Sequence, residues 1–444
     1  MDARVGPRPA APPGPYLVVG LARSGRAAAR ALRARGERVV GVDAGAPPVD
    51  DLRAVGVEVH LHSDGEALLE DARVVIKSPG VPNRAPVIDR ARRRGLAVIG
   101  ELELAWRLLD HPFVAVTGTN GKTTTVELIG HIHREAALPV AVAGNVGTAV
   151  SALVGELAPG AVVVCEASSF QLEDTEAFAP EAAVLLNLTP DHLDRHGTLQ
   201  AYRAAKLEIF ARQGNDDVAV APLGLGVEDL GGCARRVCFG HGPRADVSER
   251  AGQLWWQDQP LVRVDELRLH GAHNVDNAMA AAAVCLTRGV DVGAVRSALR
   301  SFAGVAHRLQ EVARRGGVTW VNDSKATNVA STLMALAAFP AGGVHLILGG
   351  EGKAQDFTAL RDAVSVTCAA VWLIGRDAGL IAAALAGVGV PLHECGDLGG
   401  AVRGVRAAVQ PGQTVLLSPA CASFDQFEDF EARGRRFAQL ADRA

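Results

Sequence analysis

In a chain of 444 residues with 45 basic side chains, lysine occupies only Lys77, Lys122, Lys206, Lys325 and Lys353, and the other forty cations are arginine. Arginine is used wherever a plain positive charge serves. The lysines are therefore candidates for work a guanidinium cannot do: a compact ammonium against phosphate, or an amine that must lose its proton to react. Lys77 alone reads as a lysine that simply remained. Lys122 stands in TGTNGKTTT, where Gly118, Thr119, Asn120, Gly121, Lys122, Thr123 and Thr124 follow an apolar run and precede a helical stretch. A strand feeding such a loop turns backbone N–H groups and a positive helix end toward phosphate, with the lysine reaching the β/γ-phosphates and the next hydroxyl able to ligate Mg²⁺. The glycine spacing is shorter than in the usual P-loop pattern, but the flanking strand and helix favour nucleotide binding over a chance turn.

Two carboxylate segments follow. VVVCEASSFQLE puts Glu166 just after a strand, where it either holds Mg²⁺ beside the phosphates or serves its own fold. LLNLTPDHLDRHGT offers Asp191, His192, Asp194 and His196, most of which must be local, since a Mg²⁺ site takes few protein ligands. Lys206, in YRAAKLEIF, lies fourteen residues after His192 on a predicted helix. Taken alone it reads as a surface lysine.

The elements that must carry these groups alternate strand and helix, which predicts an α/β fold. YLVVG, RAAARALRARG and RVVGVD form a strand, helix, strand unit ending at Asp43. Its turn, GLARSG, lacks the middle glycine of the dinucleotide fingerprint because Ala22 stands there. RVVIKSPGVP reads as a later strand of that sheet whose loop lies at its ligand-binding edge. A second unit opens with FVAVTGTNGKTTT, and a third near Gly304 alternates VTWVND, VHLILGG, AAVWLIG and QTVLLSP with helices. Three domains are predicted: 16–100, 101–304 and 305–444, after a Pro/Gly/Ala-rich disordered lead-in at 1–15.

With 49 acidic residues and a net charge of −4, the chain has no general footprint for nucleic acid or anionic membrane. Seven scattered cysteines with no CxxC pair argue for a reducing compartment over a disulfide framework or zinc site, so the cytoplasm is expected. No apolar run reaches the roughly 18 residues of a membrane span.

TGTNGKTTT, GNVG (144–147), EASSFQLE, DHLDRH, YRAAKLEIF, GAHNVDNAMAA, FAGVAHRLQ, NDSKATN, GGEGK and SPACASFDQF occur in the order seen in the Mur ligases. From about Tyr16 to the C-terminus the chain resembles that family. SSFQL, NDSKATN and SPACASFDQF most resemble its D-glutamate-adding members. The resemblance implies a Rossmann-like N-terminal domain for a UDP-substrate, a central P-loop-type ATPase domain and a C-terminal Rossmann-like α/β domain for the amino acid. It implies ATP-dependent joining of D-glutamate to UDP-N-acetylmuramoyl-L-alanine through an acyl phosphate, in peptidoglycan precursor synthesis by a monomer.

Residue by residue, the resemblance implies that Thr123 and Glu166 bind one Mg²⁺ and His192 and Lys206 a second, Lys206 being carbamylated by CO₂. Arginine cannot take that modification, because it does not give up a proton in proteins. Asn145 and Ser168 match contacts to the muramoyl substrate. Asn277, Arg308 and Asp323 match positions that hold adenosine, with Asn274 and His307 nearby. Lys325, Thr327, Lys353, Ser423 and Phe430 match positions around the incoming amino acid. Arg23 and Ser24 would meet the pyrophosphate and Asp43 the uridine, although DAG follows the strand here without a polar or basic neighbour.

Three other readings compete. An NAD-dependent oxidoreductase would account for GLARSG and Asp43 but leaves TGTNGKTTT unexplained, and a P-loop switch predicts hydrolysis with no small acceptor. A sister ligase, such as another Mur enzyme, an L-glutamate-adding variant or a folylpolyglutamate synthase, would differ in the amine it takes.

Overall fold

A computed structural model of the chain describes residues 8–225, 230–269, 271–352 and 355–442. They form two compact units that divide in sequence between Phe302 and Ala303. The first carries two sheets and the second carries one.

The first sheet contains β1 (Tyr16–Val19), β2 (Val39–Asp43), β3 (Glu58–Leu61), β4 (Val74–Lys77) and β5 (Ala97–Gly100), ordered β3-β2-β1-β4-β5 and parallel throughout. Every residue of β1 and β4 is buried, as expected of parallel strands covered by helices on both faces. The helix Arg23–Ala34 buries Gly25, Ala28, Ala29 and Leu32, one stripe at helical spacing. A Cβ on Gly25 would lie 1.8 Å from the carbonyl oxygen of Gly20. The last glycine of GLARSG thus serves close helix-to-strand packing, a role that does not depend on which ligand is bound.

The lead-in, expected to be disordered through residue 15, lies against this unit from residue 8. Arg8, with a side chain 7% exposed, donates to the carbonyl oxygens of Trp106 (3.0 Å), Leu109 and His111 (2.7 Å) and pairs with Glu181 at 2.9 Å. The helix Glu101–Leu108 ends there, and its last carbonyls have no partner within the helix. A guanidinium near a helix C-terminus fills that need and orders the strap.

The second sheet holds β6 (Phe113–Thr117), β7 (Val140–Gly144), β8 (Val162–Glu166), β9 (Ala182–Leu185), β10 (Val218–Pro222), β11 (Arg235–His241), β12 (Val247–Arg250), β13 (Gln253–Trp256) and β14 (Gln259–Arg263). Their order is β14-β13-β12-β11-β10-β9-β6-β8-β7, parallel from β7 to β12 and antiparallel for the last two. From β6 the chain goes to one side for β7 and β8 and to the other for β9. That reversal opens a crevice at the carboxyl ends beside β6, where open α/β sheets bind ligands.

The second unit's sheet contains β15 (Gln310–Arg315), β16 (Val318–Asn322), β17 (Val344–Gly349), β18 (Cys368–Ile374), β19 (Leu392–Gly396) and β20 (Thr414–Leu417). It runs β15-β16-β20-β17-β18-β19, with only β15 antiparallel to its neighbour. The apolar runs VTWVN, VHLILG, AAVWLI and TVLL form β16, β17, most of β18 and β20. NDSKATN, GGEGK and SPACASF all leave carboxyl ends of these strands.

Candidate active site

The loop after β6 is built by its glycines. Gly118 (φ +153°) and Gly121 (φ +85°) hold backbone conformations that side chains rarely adopt, and Gly121 caps the helix Lys122–Glu135. The loop is pinned from the β9 side, where Asn187 Oδ1 accepts from the Asn120 N–H (2.9 Å) and its amide donates to the Asn120 carbonyl (3.1 Å). The Thr119 hydroxyl donates to the Thr189 carbonyl (3.1 Å) and meets the Tyr202 hydroxyl at 3.2 Å. Lys122 Nζ curls back onto the Gly118 and Thr119 carbonyls, at 2.9 Å each.

Glu166, the last residue of β8, is 2% exposed. Its Oε2 accepts from the Thr123 hydroxyl (2.8 Å) and its Oε1 from the Asn145 amide (3.1 Å). A Cβ on Gly144 would meet the Glu166 carbonyl at 2.3 Å, so the glycine of GNVG lets the two strand ends close together. A carboxylate and a hydroxyl side by side at a phosphate-type loop are hard oxygen donors, the set a Mg²⁺ ion takes. The residues proposed for the first metal fit it.

Lys206 comes from the helix Leu199–Leu207 and is 2% exposed. Its Nζ donates to the Gly118 carbonyl (2.8 Å) and sits 4.6 Å from the Tyr202 ring centroid. Burial, reinforced by the nearby Lys122 charge, lowers its pKa to about 7. Among the described residues no carboxylate is close enough to pair with it. His192, in a left-handed conformation (φ +51°), has a side chain 49% exposed beside Asp191 at 3.5 Å, and its ring lies 6.4 Å from that of Tyr202. No group of three or more His, Cys, Asp or Glu among the described residues is arranged for a metal. A second cation at His192 and Lys206 fits only if the lysine supplies an anion. The Asp194 side chain lies outside the described residues.

Other predicted residues differ in exposure and in the bonds they make within the protein. The Arg23 guanidinium donates to the Asn145 carbonyl (2.7 Å), bringing the first turn of the first sheet to GNVG of the second. Ser24 is half-buried in the same turn. Asp43, expected at uridine, accepts one backbone N–H on each oxygen, Leu21 on Oδ2 (2.6 Å) and Gly45 on Oδ1 (2.8 Å), which orients the carboxylate and leaves each oxygen a further acceptor site. Ser168, expected at the muramoyl substrate, forms a capping box with Gln171 for the helix Ser169–Leu172. Asn277 is 3% exposed, and its amide donates to Asn274 Oδ1 at 3.1 Å.

In the second unit, Asp323 is 5% exposed and accepts from the Ser418 hydroxyl (2.8 Å) and the Leu309 N–H (3.2 Å). Burial raises its pKa to about 6. Arg308 is exposed, and Lys325 and Thr327 are half-buried. Ser423 is buried, and the Phe430 carbonyl accepts from the Ser324 hydroxyl at 2.8 Å. The His307 ring is bonded to the Asn322 amide at 2.9 Å. Lys353 lies outside the described residues.

Three residues that tie these loops together carried no sequence signal. Arg433, 1% exposed, donates to the Ser324 hydroxyl (2.9 Å) and to the Ser324 (2.9 Å) and Cys421 (3.0 Å) carbonyls. Gln355 takes the Val329 N–H (3.0 Å) and donates to the Gly352 (2.9 Å) and Ala420 (3.1 Å) carbonyls. Asp377 Oδ2 takes the Gly352 N–H at 2.6 Å. Together they fix NDSKATN, GGEGK and SPACASF to one another.

The first unit carries a phosphate-type loop at a sheet crevice and the second its own motif-bearing sheet edge, and both are α/β. The Mur ligase MurD-like N-terminal domain family matches residues 15–100, the Mur ligase middle domain 116–285 and the Mur ligase glutamate ligase domain 307–421. The chain belongs to the Mur ligase family. It is 42% identical to the UDP-N-acetylmuramoylalanine–D-glutamate ligase of Acidobacterium capsulatum, over 96% of this chain and 95% of that protein. It is 43% identical to the enzyme of the same name from Anaeromyxobacter dehalogenans, over 96% of each. The fold is similar to a solved UDP-N-acetylmuramate-alanine ligase, MurC of Thermotoga maritima, with TM-score 0.61 and 21% identity over 97% of this chain and 99% of that one.

Proposed function

We propose that this chain is an ATP-dependent ligase that joins D-glutamate to UDP-N-acetylmuramoyl-L-alanine. The observation that carries the reading is the convergence of Lys122, Thr123, Glu166 and Lys206 on one loop end, in a chain similar to ligases of that name over nearly its full length. The alanyl carboxylate attacks the γ-phosphate, giving an acyl phosphate and ADP. The neutral glutamate amine then adds to the acyl carbon and loses a proton, and the C–O bond breaks with its electron pair leaving on phosphate. Lys122 swings from its loop carbonyls to the β/γ-phosphates, and the loop N–H groups offset charge developing there. Thr123 with Glu166, and His192 with Lys206, would hold Mg²⁺, which supplies neutralisation of phosphate charge. The lowered pKa of Lys206 leaves much of its amine neutral near pH 7, as reaction with CO₂ requires.

In this reading Asn277, Arg308 and Asp323 hold adenosine. Lys325, Thr327, Lys353, Ser423 and Phe430 surround glutamate, and Arg23, Ser24, Asn145 and Ser168 meet the nucleotide sugar. Asp43, oriented by the Leu21 and Gly45 N–H groups, meets the uridine. Domain boundaries near 100 and 304, a monomer and a cytoplasmic location belong to the same reading. No described helix is long and apolar enough to cross a membrane.

The test is phosphate release from ATP with each component omitted in turn, and with D-glutamate, L-glutamate or a diamino acid as the amine. Release is expected only with ATP, Mg²⁺, the nucleotide sugar and D-glutamate together. Equal release without the nucleotide sugar, or faster turnover with another amine, overturns it.

A further inference from the structure

The segment from the end of β4, residues 77–83, is held at every second residue by two stretches of the neighbouring sheet's loops, 173–174 and Arg195. Lys77 Nζ pairs with Asp174 Oδ2 at 2.5 Å. The carbonyls of Pro79 and Val81 accept from one guanidinium nitrogen of Arg195, at 3.1 and 3.2 Å. The Asn83 amide donates to Glu173 Oε2 at 3.0 Å. The other side of the segment faces the first turn of the chain, where the Ser78 hydroxyl donates to the Gly20 carbonyl at 2.6 Å.

Arg195 is itself held in place. Its guanidinium carbon lies 4.0 Å from the Phe170 ring centroid, and Phe170 stacks on His196 at 5.3 Å with the planes 10° apart. His196 in turn meets Glu173 (2.9 Å) and the Ser169 hydroxyl (3.0 Å). The short helix Leu193–His196 thus begins just after His192, at the phosphate crevice, and ends on the loop beside GLARSG. One turn of helix joins the two places where the bound substrate must have its two ends.

We propose that Arg195 is a positioning residue for the nucleotide sugar: it clamps the loop 78–83 at a fixed offset from the phosphate loop, so that a substrate anchored by its nucleotide presents its carboxylate at the phosphoryl site. The inference rests on the proposed reaction, and it makes Arg195 act through the Pro79 and Val81 carbonyls without touching substrate. Lysine at this position keeps the charge and can reach one carbonyl, but it loses the flat face that stacks on Phe170.

The experiment compares wild type, Arg195→Ala and Arg195→Lys in steady-state phosphate release and in hydrogen–deuterium exchange without ligand. Arg195→Ala is expected to raise the KM for UDP-N-acetylmuramoyl-L-alanine about tenfold or more while the KM for ATP stays within about twofold, with Arg195→Lys intermediate. Amides of 80–85 are expected to exchange about tenfold faster in Arg195→Ala while those of 118–125 are unchanged. Unchanged exchange at 80–85, or KM values for both substrates rising together with a fall in melting temperature, overturns the inference. A wild-type enzyme that does not turn over this nucleotide sugar overturns the proposed reaction instead, and the exchange measurement still decides whether Arg195 clamps the loop.

Discussion

Two lysines of the first unit are buried almost completely, and they are buried differently. Lys77, 0% exposed at the end of β4, is met by the Asp174 carboxylate at 2.5 Å. Lys206, 2% exposed, is met by the carbonyl of Gly118, the face of Tyr202 and the repulsion of Lys122. Burial lowers the pKa of both; at Lys77 a bonded carboxylate opposes it, whereas at Lys206, among the described residues, the opposition comes from the unbonded charges of Asp191 and Glu166. A buried lysine with a bonded counter-ion is a structural joint. One without is an amine poised to be neutral, which is how a protein prepares a lysine to react.

The largest effect expected from this contrast is on catalysis. Lys206→Arg, which keeps the charge but not the releasable proton, should lower phosphate release by roughly 10³, the scale of losing a key group at a phosphoryl-transfer site. Activity near that of wild type would make Lys206 an ordinary cation and erase the contrast.

Lys77→Met should instead act on stability. Leaving Asp174 buried with only the Arg92 guanidinium, 3.9 Å away, costs up to about 3–5 kcal/mol, while replacing both Lys77 and Asp174 with apolar residues of similar volume recovers most of the loss. Denaturant melts of Lys77→Met and of Lys77→Met with Asp174→Leu measure this.

Uptake of CO₂ sharpens the comparison further. With a pKa of about 7, Lys206 becomes neutral as pH rises through that value, so a carbamate signal from ¹³C-bicarbonate should grow across the same interval. A signal unchanged between about pH 6 and pH 8, or one that persists in Lys206→Arg, would break the link between burial and reactivity.

The smallest effect is a stability trend. The folded state holds the Lys206 proton more weakly than the unfolded state, whose lysine stays charged up to its ordinary value of 10.5. The penalty for burying the charge is therefore full below about pH 7 and fades as pH climbs toward that value. Lys206→Met should gain stability over wild type at neutral pH, by an amount that shrinks on the alkaline side. A gain independent of pH would point to packing.

The strands and the phosphate loop were legible because they are local: an apolar run and its punctuating glycines report on the residues themselves. The β12 to β14 stretch was not, since its short strands mix exposed and buried positions without a clean period. Asp43 shows a deeper limit. Its position at the end of β2 marks it as a candidate, but only the fold reveals that the Leu21 and Gly45 N–H groups each hold one of its oxygens and so set how the carboxylate points. Arg433 and Arg195 were invisible for the opposite reason, since among forty arginines nothing local distinguishes a clamp from a surface charge. Arg8 escaped because its partners lie about a hundred residues away.

The glycine that ends the phosphate loop has a neighbour that matters. A Cβ on Gly121 would come within 2.2 Å of the Asn277 side-chain oxygen, so a single atomic layer separates the loop from the helix Ala272–Thr287. In the proposed reading, loop and helix serve opposite ends of one nucleotide, so the floor beneath its phosphates is also the wall behind its base. Gly121→Ala would strain the turn and push the helix start outward in one stroke, and base and phosphate affinity would fall together. In that reading one contact, Gly121 against Asn277, couples the two ends of the nucleotide site.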